Sequence, residues 1–433
     1  MACDALLLSG LLAACPANAF AGDGIALHGQ AVFVDQYHPA FRSPYRGPNS
    51  LDPGSQGRET FSATLYAGAR LWDGGEVWAN PEIDQGFGLS NTLGLAGFSS
   101  GEGYKVGSST PYLRLQRLFF RQTFDLGGKS ETVQDGANQM GGTRTADNLV
   151  LTAGKISVTD IFDTNPYAHD PARDFLNWAV IDAGAYDYAA DAWGYSYGAA
   201  AEWSQDWWTL RAGAFALSRV PNTTELQTDF RQFELVAEAE ARHQWRGRPG
   251  SIKLLGFINR GDMGGYHDAV HLWLAGGMAP DTALVRRYAS LPGGSINLEQ
   301  QVSGMLGVFA RASFNDGSKE AFEFTEINRS FSAGLSLSGA AWGRPGDSAG
   351  VAGVVDALSS SARAYFAAGG LGILIGDGQL PSYGTEDILE TYYSAWITQW
   401  LAATADYQFV ANPAYAGSRG PVSILGARLT AQF

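Results

Sequence analysis

From shortly after its N-terminus to its last residue, this 433-residue chain alternates apolar and polar side chains with a period of two. Such alternation places successive side chains on opposite faces of a β-strand. In one stretch Phe61, Ala63, Leu65, Ala67, Ala69 and Leu71 share a face, while Thr60, Ser62, Thr64, Tyr66, Gly68 and Arg70 share the other. Val77, Ala79, Pro81 and Ile83 repeat the pattern, and Phe233, Leu235, Ala237, Ala239 and Ala241 oppose Glu234, Glu238, Glu240 and Arg242. Further strand-like stretches are Leu27–Gln36, Leu149–Val158, Tyr195–Trp203, Trp208–Leu217, Ile252–Asn259, Ile296–Val302 and Leu306–Phe314. Phe331–Leu337, Val351–Val355, Tyr365–Ile375, Leu389–Ile397 and Leu401–Phe409 complete the series. The phase slips by one residue near Leu115–Leu118, which predicts a β-bulge. The last alternation, Leu425, Ala427, Leu429, Ala431 and Phe433, runs to the final residue.

Turn chemistry separates these stretches. Asp73-Gly74-Gly75, Gly127-Gly128 and Asn315-Asp316-Gly317 read as hairpin turns. Longer polar segments interrupt the series at Tyr37–Arg58, Gly88–Pro111, Lys129–Asp147, Asp160–Phe175 and Gly261–Gly294. Short turns on one side and long loops on the other are the outer-membrane pattern. No stretch reaches the ~20 apolar residues of a membrane-crossing helix. A barrel strand escapes a hydropathy scan because lipid-facing and lumen-facing residues alternate. The mean hydropathy of -0.10 and the 12% aromatic and 17% charged residues fit that case, and they also fit a soluble all-β protein. Two features favour the membrane. Aromatics recur near segment ends, at Trp72, Trp203, Trp207, Trp208, Tyr392, Tyr393, Trp396 and Trp400, as interface girdles do. A terminal Phe433 closing an amphipathic strand resembles the signal read by the barrel-assembly machinery. The expected fold is all-β, a single closed antiparallel transmembrane β-barrel of about 16 strands, give or take about two. It would occupy residues 22–433 in the outer membrane of a Gram-negative bacterium, surrounded by outer-membrane lipids.

Residues 1–21 read as a signal peptide, with an apolar core at Leu6–Ala14 and cleavage after Ala19 or Ala21. The opening Met1-Ala2-Cys3-Asp4 lacks the basic region such leaders carry, which points to a start further upstream; Leu12–Cys15 also resembles a lipoprotein signal. The only two cysteines, Cys3 and Cys15, fall in this leader, so the mature chain holds no disulfide, thiolate metal site or cysteine nucleophile. A net charge of -14 without any basic block argues against nucleic acid as a partner.

An Arg or Lys facing lipid at mid-membrane costs about 2–4 kcal/mol, so strand charges belong on the inner face. They are Arg70, Glu82, Asp84, Arg114, Arg117, Arg121, Lys155, Glu202, Arg211, Glu234, Glu238, Glu240, Arg242, Arg311 and Arg428. Arg114, Arg117 and Arg121 form the densest basic patch. Guanidinium groups present five donors in a fixed fork, which suits vicinal sugar hydroxyls. Trp78 could stack on the apolar side of a pyranose. The alternative is a set of paired charges that fills a solvated interior and selects nothing. Other motifs carry less. Gly97–Gly101 matches a nucleophile elbow but sits in a Gly/Ser-rich loop, without the strand and helix that chemistry needs. Gly127-Gly128-Lys129-Ser130 lacks the first Gly of a phosphate loop, and Gly369–Gly378 reads as a strand and turn. His267 and His271 share no face outside a helix, so no metal site is expected, and neither a cofactor nor a catalytic set is read.

Three stretches stand out together: Gly57–Asn80 followed by Pro81-Glu82-Ile83-Asp84-Gln85-Gly86, the run Asp160–Asp170 with Asp174-Phe175-Leu176-Asn177, and Asp406–Phe409 with Asn412–Tyr415 before the last strand. In these the chain resembles the carbohydrate-selective porins of the OprB type: the first is similar to that family's early strands, the second to its strongest internal motif and the third to its ending. The Pro-rich segment Tyr37–Pro53 departs from the glucose-selective members. The resemblance implies a barrel of about 16 strands and passive uptake of mono- and small oligosaccharides. A general small-solute porin or a non-conducting barrel also fits the residues, whereas a hydrolase would need a converging Ser, His and carboxylate that is not found.

The wall of a ~16-strand barrel leaves a broad aqueous pore, so something must narrow it. Asp160–Asn177 is too long for a tight turn and carries Asp163, Asn165, Asp170, Arg173, Asp174 and Asn177. It is expected to fold inward and face the wall of Arg114, Arg117 and Arg121.

Overall fold

A computed structural model describes residues 24–433 except 104–105 and 277–278; the leader reading for residues 1–21 lies outside the described residues. The described residues form sixteen strands: β1 (Ile25–His38), β2 (Gln56–Trp72), β3 (Gly75–Gly86), β4 (Ser108–Val133), β5 (Gly142–Ile156), β6 (Ser196–Gln205), β7 (Trp208–Ala216) and β8 (Phe233–Trp245). They continue with β9 (Arg248–Gly264), β10 (Arg286–Gln301), β11 (Leu306–Asn315), β12 (Arg329–Ser338), β13 (Ser348–Ala357), β14 (Glu386–Trp396), β15 (Leu401–Ala411) and β16 (Val422–Gln432). Each pairs antiparallel with its sequence neighbours, and β1 pairs with β16 to close the barrel. Closure leaves no sheet edge, the condition for strands in a bilayer.

The alternation sets which face meets lipid. Leu65, Leu71, Leu235 and Leu429 are exposed on the outer surface, and Phe61 and Phe233 lie half-buried on the same face. Their neighbours Thr60, Ser62, Thr64, Glu234, Glu238 and Arg428 are buried inside. Trp72, Trp203, Trp207, Trp245, Trp342 and Trp400 are exposed near the end with the short turns, where a girdle belongs. Tyr392, grouped with these on sequence, is buried on the inner face. The phase slip is a bulge: Asn80 pairs with Arg117 and Pro81 with Leu115, leaving Gln116 unmatched.

Several expected turns and loops differ. Asp73–Gly74 closes the β2–β3 hairpin, but Gly127 and Gly128 lie within β4 at a double register shift. Most of Lys129–Asp147 is strand for the same reason: both strands run past the rim. Asn315-Asp316-Gly317 opens a longer segment before β12 rather than a tight turn. Tyr365–Ile375 is not a strand. Three α-helices occur among the described residues, α1 (Trp178–Ile181), α2 (Tyr266–Leu274) and α3 (Ser360–Ala367). The buried set Ala362, Tyr365 and Phe366 in α3 has helical spacing, and the Ser359 side chain caps the helix by accepting from Ala362 N. Gly369–Gly378 is therefore the exit from a helix. Lys155 pairs opposite Leu118 and Tyr197, which face outward; at the top of β5 its ammonium lies 3.2 Å from Asp191. A long flexible stem lets a lysine near the membrane edge bring its charge back to a polar partner.

The seam joins the two ends of the described chain. Gly29 N donates to Phe433 O at 2.8 Å and Phe433 N to Gly29 O at 3.0 Å, and the Phe433 ring lies over Gly29, where a side chain would overlap it. Deleting Phe433, or replacing Gly29→Val, is expected to lower the amount of folded barrel in the outer membrane several-fold. The check is the fraction of unheated protein that migrates as the compact species on gels. Unchanged assembly in both variants would remove this role for the seam.

Candidate functional site

The segment between β5 and β6, residues 157–195, enters the barrel, and 177–192 are buried throughout. It starts with a short turn capped by Ser157, whose N–H donates to Asp160 at 3.1 Å. Past that turn its polar groups bond to the wall made by β8, β10, β11 and β14–β16. Asp163 N donates to Glu238 at 2.8 Å, and Asn165 Nδ2 to Asn297 at 2.8 Å. Leu176 N and Asn177 N both donate to Glu390, at 2.5 and 3.1 Å. Asn177 Nδ2 donates to Gln408 Oε1 at 3.0 Å, while its Oδ1 caps α1 through Ala179 N. Arginines handle the carbonyls. Arg311 donates to the oxygens of Val180 and Ala168, each at 2.8 Å, and pairs with Asp163 at 3.3 Å. Arg428 donates to Pro171 O and Asp174 O at 2.5 and 2.9 Å.

One ion pair with an arginine crosses to the β3–β4 wall. Arg117 grips Asp160 with two bonds of 2.7 Å. Enclosure in the barrel pushes the Asp160 carboxyl up, but the Arg117 guanidinium and the Ser157 N–H hold it below the usual carboxylate range. Arg114 bonds Glu82 at 2.8 Å and also Asp84. Both guanidinium groups stand against aromatic faces: Arg117 lies 5.0 Å from the Tyr195 ring, and Arg114 5.2 Å from Tyr195 and 5.5 Å from Trp193. Such contacts hold the planes flat while leaving donors at their edges.

The expected residues thus divide into groups. Arg114, Arg117, Glu82 and Asp84 come together on the β3–β4 wall. Asp163, Asn165 and Asn177 are buried in the seat of the inward segment, away from that wall, because backbone groups there need partners. Arg173 is exposed. Arg70 and Arg121 sit lower, at the level of Glu76, where they donate to Gly141 O at 2.9 Å and Asn138 O at 2.7 Å. Trp78 is fully buried, packed across Gly68 with Nε1 donating to Glu76, so its face is closed to a solute. His267 and His271 do lie on a helix, α2, with ring centroids 4.0 Å apart. Even so, the described residues contain no group of three His, Cys, Asp or Glu able to hold a metal ion. Sequence reasoning missed Tyr195, Trp193 and Asp160 as partners of the arginines. It also missed Glu390, whose parity on the inner face of β14 was the available signal.

Residues 48–433 match the family described as carbohydrate-selective porin, OprB family. The chain belongs to the OprB family of carbohydrate-selective porins. A comparison with curated proteins finds none that matches. The porin is similar to the high-pH structure of Pseudomonas putida OprB at 17% identity and TM-score 0.71, over 95% of this chain and 94% of that one. The low-pH structure of the P. putida protein gives 14% and 0.51 over 95% and 93%. The outer membrane channel DcaP of Acinetobacter baumannii gives 11% and 0.54 over 96% and 99%. At these identities the likeness is one of fold.

Arg311 is a fully enclosed anchor of the inward segment. Replacing Arg311→Ala takes the cation from the buried Asp163 carboxylate and a donor from three carbonyls, a loss of about 3–5 kcal/mol. The expected result is a lower urea midpoint together with protease cleavage inside residues 157–195. Parent-like values of both would show that the segment is held elsewhere.

Proposed function

We propose that sugars crossing this carbohydrate-selective porin pass beside the Arg117–Asp160 pair, with Arg114 and Tyr195 bordering the same gap. The observation that carries this reading is a contrast in accessibility. The side chains of Arg311 and Asp163 are 1% and 0% exposed, whereas those of Arg117 and Asp160 are 15% and 31% exposed. A solute in the lumen can reach the second pair but not the first. Neutral polyols can exchange hydrogen bonds with such a pair, and bulky apolar solutes cannot replace the hydration they displace. The flow is passive, in the outer membrane, and small polar solutes are what passes. We further assign residues 1–21 to a removed signal peptide, and Phe433 to recognition by the assembly machinery, with outer-membrane lipids around the wall.

In planar bilayers, Arg117→Ala should raise single-channel conductance or change ion preference, and should weaken current block by sugars. Conductance, preference and block all at parent values would exclude Arg117 from the gap. Sugar uptake into liposomes holding the parent tests the transport itself. The pair should also set a pH response. A carboxylate with a lowered pKa keeps its partner above its unfolded value, about 3.9, and loses it as pH falls through the lower folded value. Sugar block should therefore stay constant from neutral pH down to about pH 5 and change only below about pH 4. A midpoint nearer neutrality would assign the response to another group.

A further inference from the structure

The β4–β5 hairpin does not stop where its neighbours do. The β2–β3 turn closes at Asp73–Gly74, but β4 continues to Val133 and β5 starts at Gly142. Pairing between the two shifts register between Asp125 and Gly127 and again between Gly127 and Ser130. Gly127 and Gly128 there take φ of +121° and +85°, conformations that other residues rarely adopt. Beyond this double bulge the hairpin leaves the line of the wall, and the contacts of its tip show its direction.

Asp135 lies 3.2 Å from His28 Nε2 on β1. Gly141 O accepts from Arg70 on β2, and Asn138 O accepts from Arg121 on β4. His28, Arg70 and Arg121 belong to the inner-facing sets of their strands. Met140 is 6% exposed, within the apolar cluster that includes Ala26, Trp78 and Phe119. With strands ~4.8 Å apart, reaching β1 from β4 spans about 14 Å of the opening. Asp135 keeps nearly half of its side chain exposed, and Gln134 and Gln139 are exposed beside it.

We propose that residues 129–146 form a second constriction, under the short-turn mouth of the barrel, that a solute meets after the Arg117–Asp160 gap. The proposal rests on the chain being a channel. In it, Arg70 and Arg121 are positioning residues: they form a cross-strand row with Glu76 and hold the tip by its carbonyls. The tip in turn engages both cations, Arg70 staying partly exposed, and offers carboxylate and carboxamide groups to the exit.

The test replaces residues 129–146 with Asn-Gly, so that β4 and β5 join as tightly as β2 and β3. Conductance and ion preference are read for parent and variant in planar bilayers, after compact migration on gels shows folding. A wider exit predicts a roughly 1.5- to 2-fold rise in conductance, toward that of an unobstructed barrel. Removing Asp135 and releasing Arg70 and Arg121 from the tip carbonyls predicts a shift toward anions. A folded variant with the parent's conductance and preference overturns the proposal. A parent that does not conduct overturns the channel reading instead, which keeps the two failures apart. If the shortened chain does not insert, the combined substitution His28→Ala, Arg70→Ala and Arg121→Ala keeps the length and frees the tip. It should raise conductance and expose residues 129–146 to protease, and parent-like behaviour in both readouts again overturns the proposal.

Discussion

A backbone N–H turned into a closed barrel must find an acceptor there, and in this porin the acceptors are carboxylates on the strands. Glu238, Glu390, Glu234 and Glu386 each take N–H groups from segments folded into the lumen. Burying an unpaired amide costs on the order of 1–3 kcal/mol, so each such carboxylate makes a stretch of inward chain possible. This also accounts for an imbalance in composition. Asp and Glu number 43 against 29 Lys and Arg. Several of the excess carboxylates are matched by peptide groups rather than by cations.

The same need divides the arginines. Arg311 and Arg428 are consumed by carbonyls of the inward segment, and Arg70 and Arg121 by carbonyls of the β4–β5 tip. Arg114 and Arg117 pair with carboxylates and rest on aromatic rings, and the Arg117 side chain stays 15% exposed. Much of this polar interior is thus scaffolding.

Strand parity made the wall readable. Phe61, Leu65, Leu235 and Leu429 could be assigned to lipid because a one-residue error would put charges such as Glu234 and Arg428 there. The bulge at Gln116 was visible for the same reason. Parity says nothing about segments that leave the wall, so Tyr365–Ile375, the end of α3 and its exit, reads as a strand and the Gly127–Gly128 bulge as a turn. The inner-facing charges were legible apart from Lys155, whose stem runs from an outward position to Asp191. Their partners were not, because pairs such as Asp163 with Arg311 join residues 148 apart through a fold the sequence pattern does not measure. Trp78 was misjudged on similar grounds: an aromatic on an inner face can be covered by its neighbours as easily as offered to a ligand.

The separation of Leu176 from Glu390, 214 residues along the chain, has a bearing on exchange between relatives. Residues 157–195 cannot be treated as a cassette. Transplanted alone into another barrel, the segment would arrive without Glu238, Arg311, Glu390 and Arg428, and its peptide groups would have nowhere to bond. Its shape is stored in strands made long after it leaves the ribosome. Moving this segment therefore requires moving the inner faces of β8, β10, β11 and β14–β16 with it.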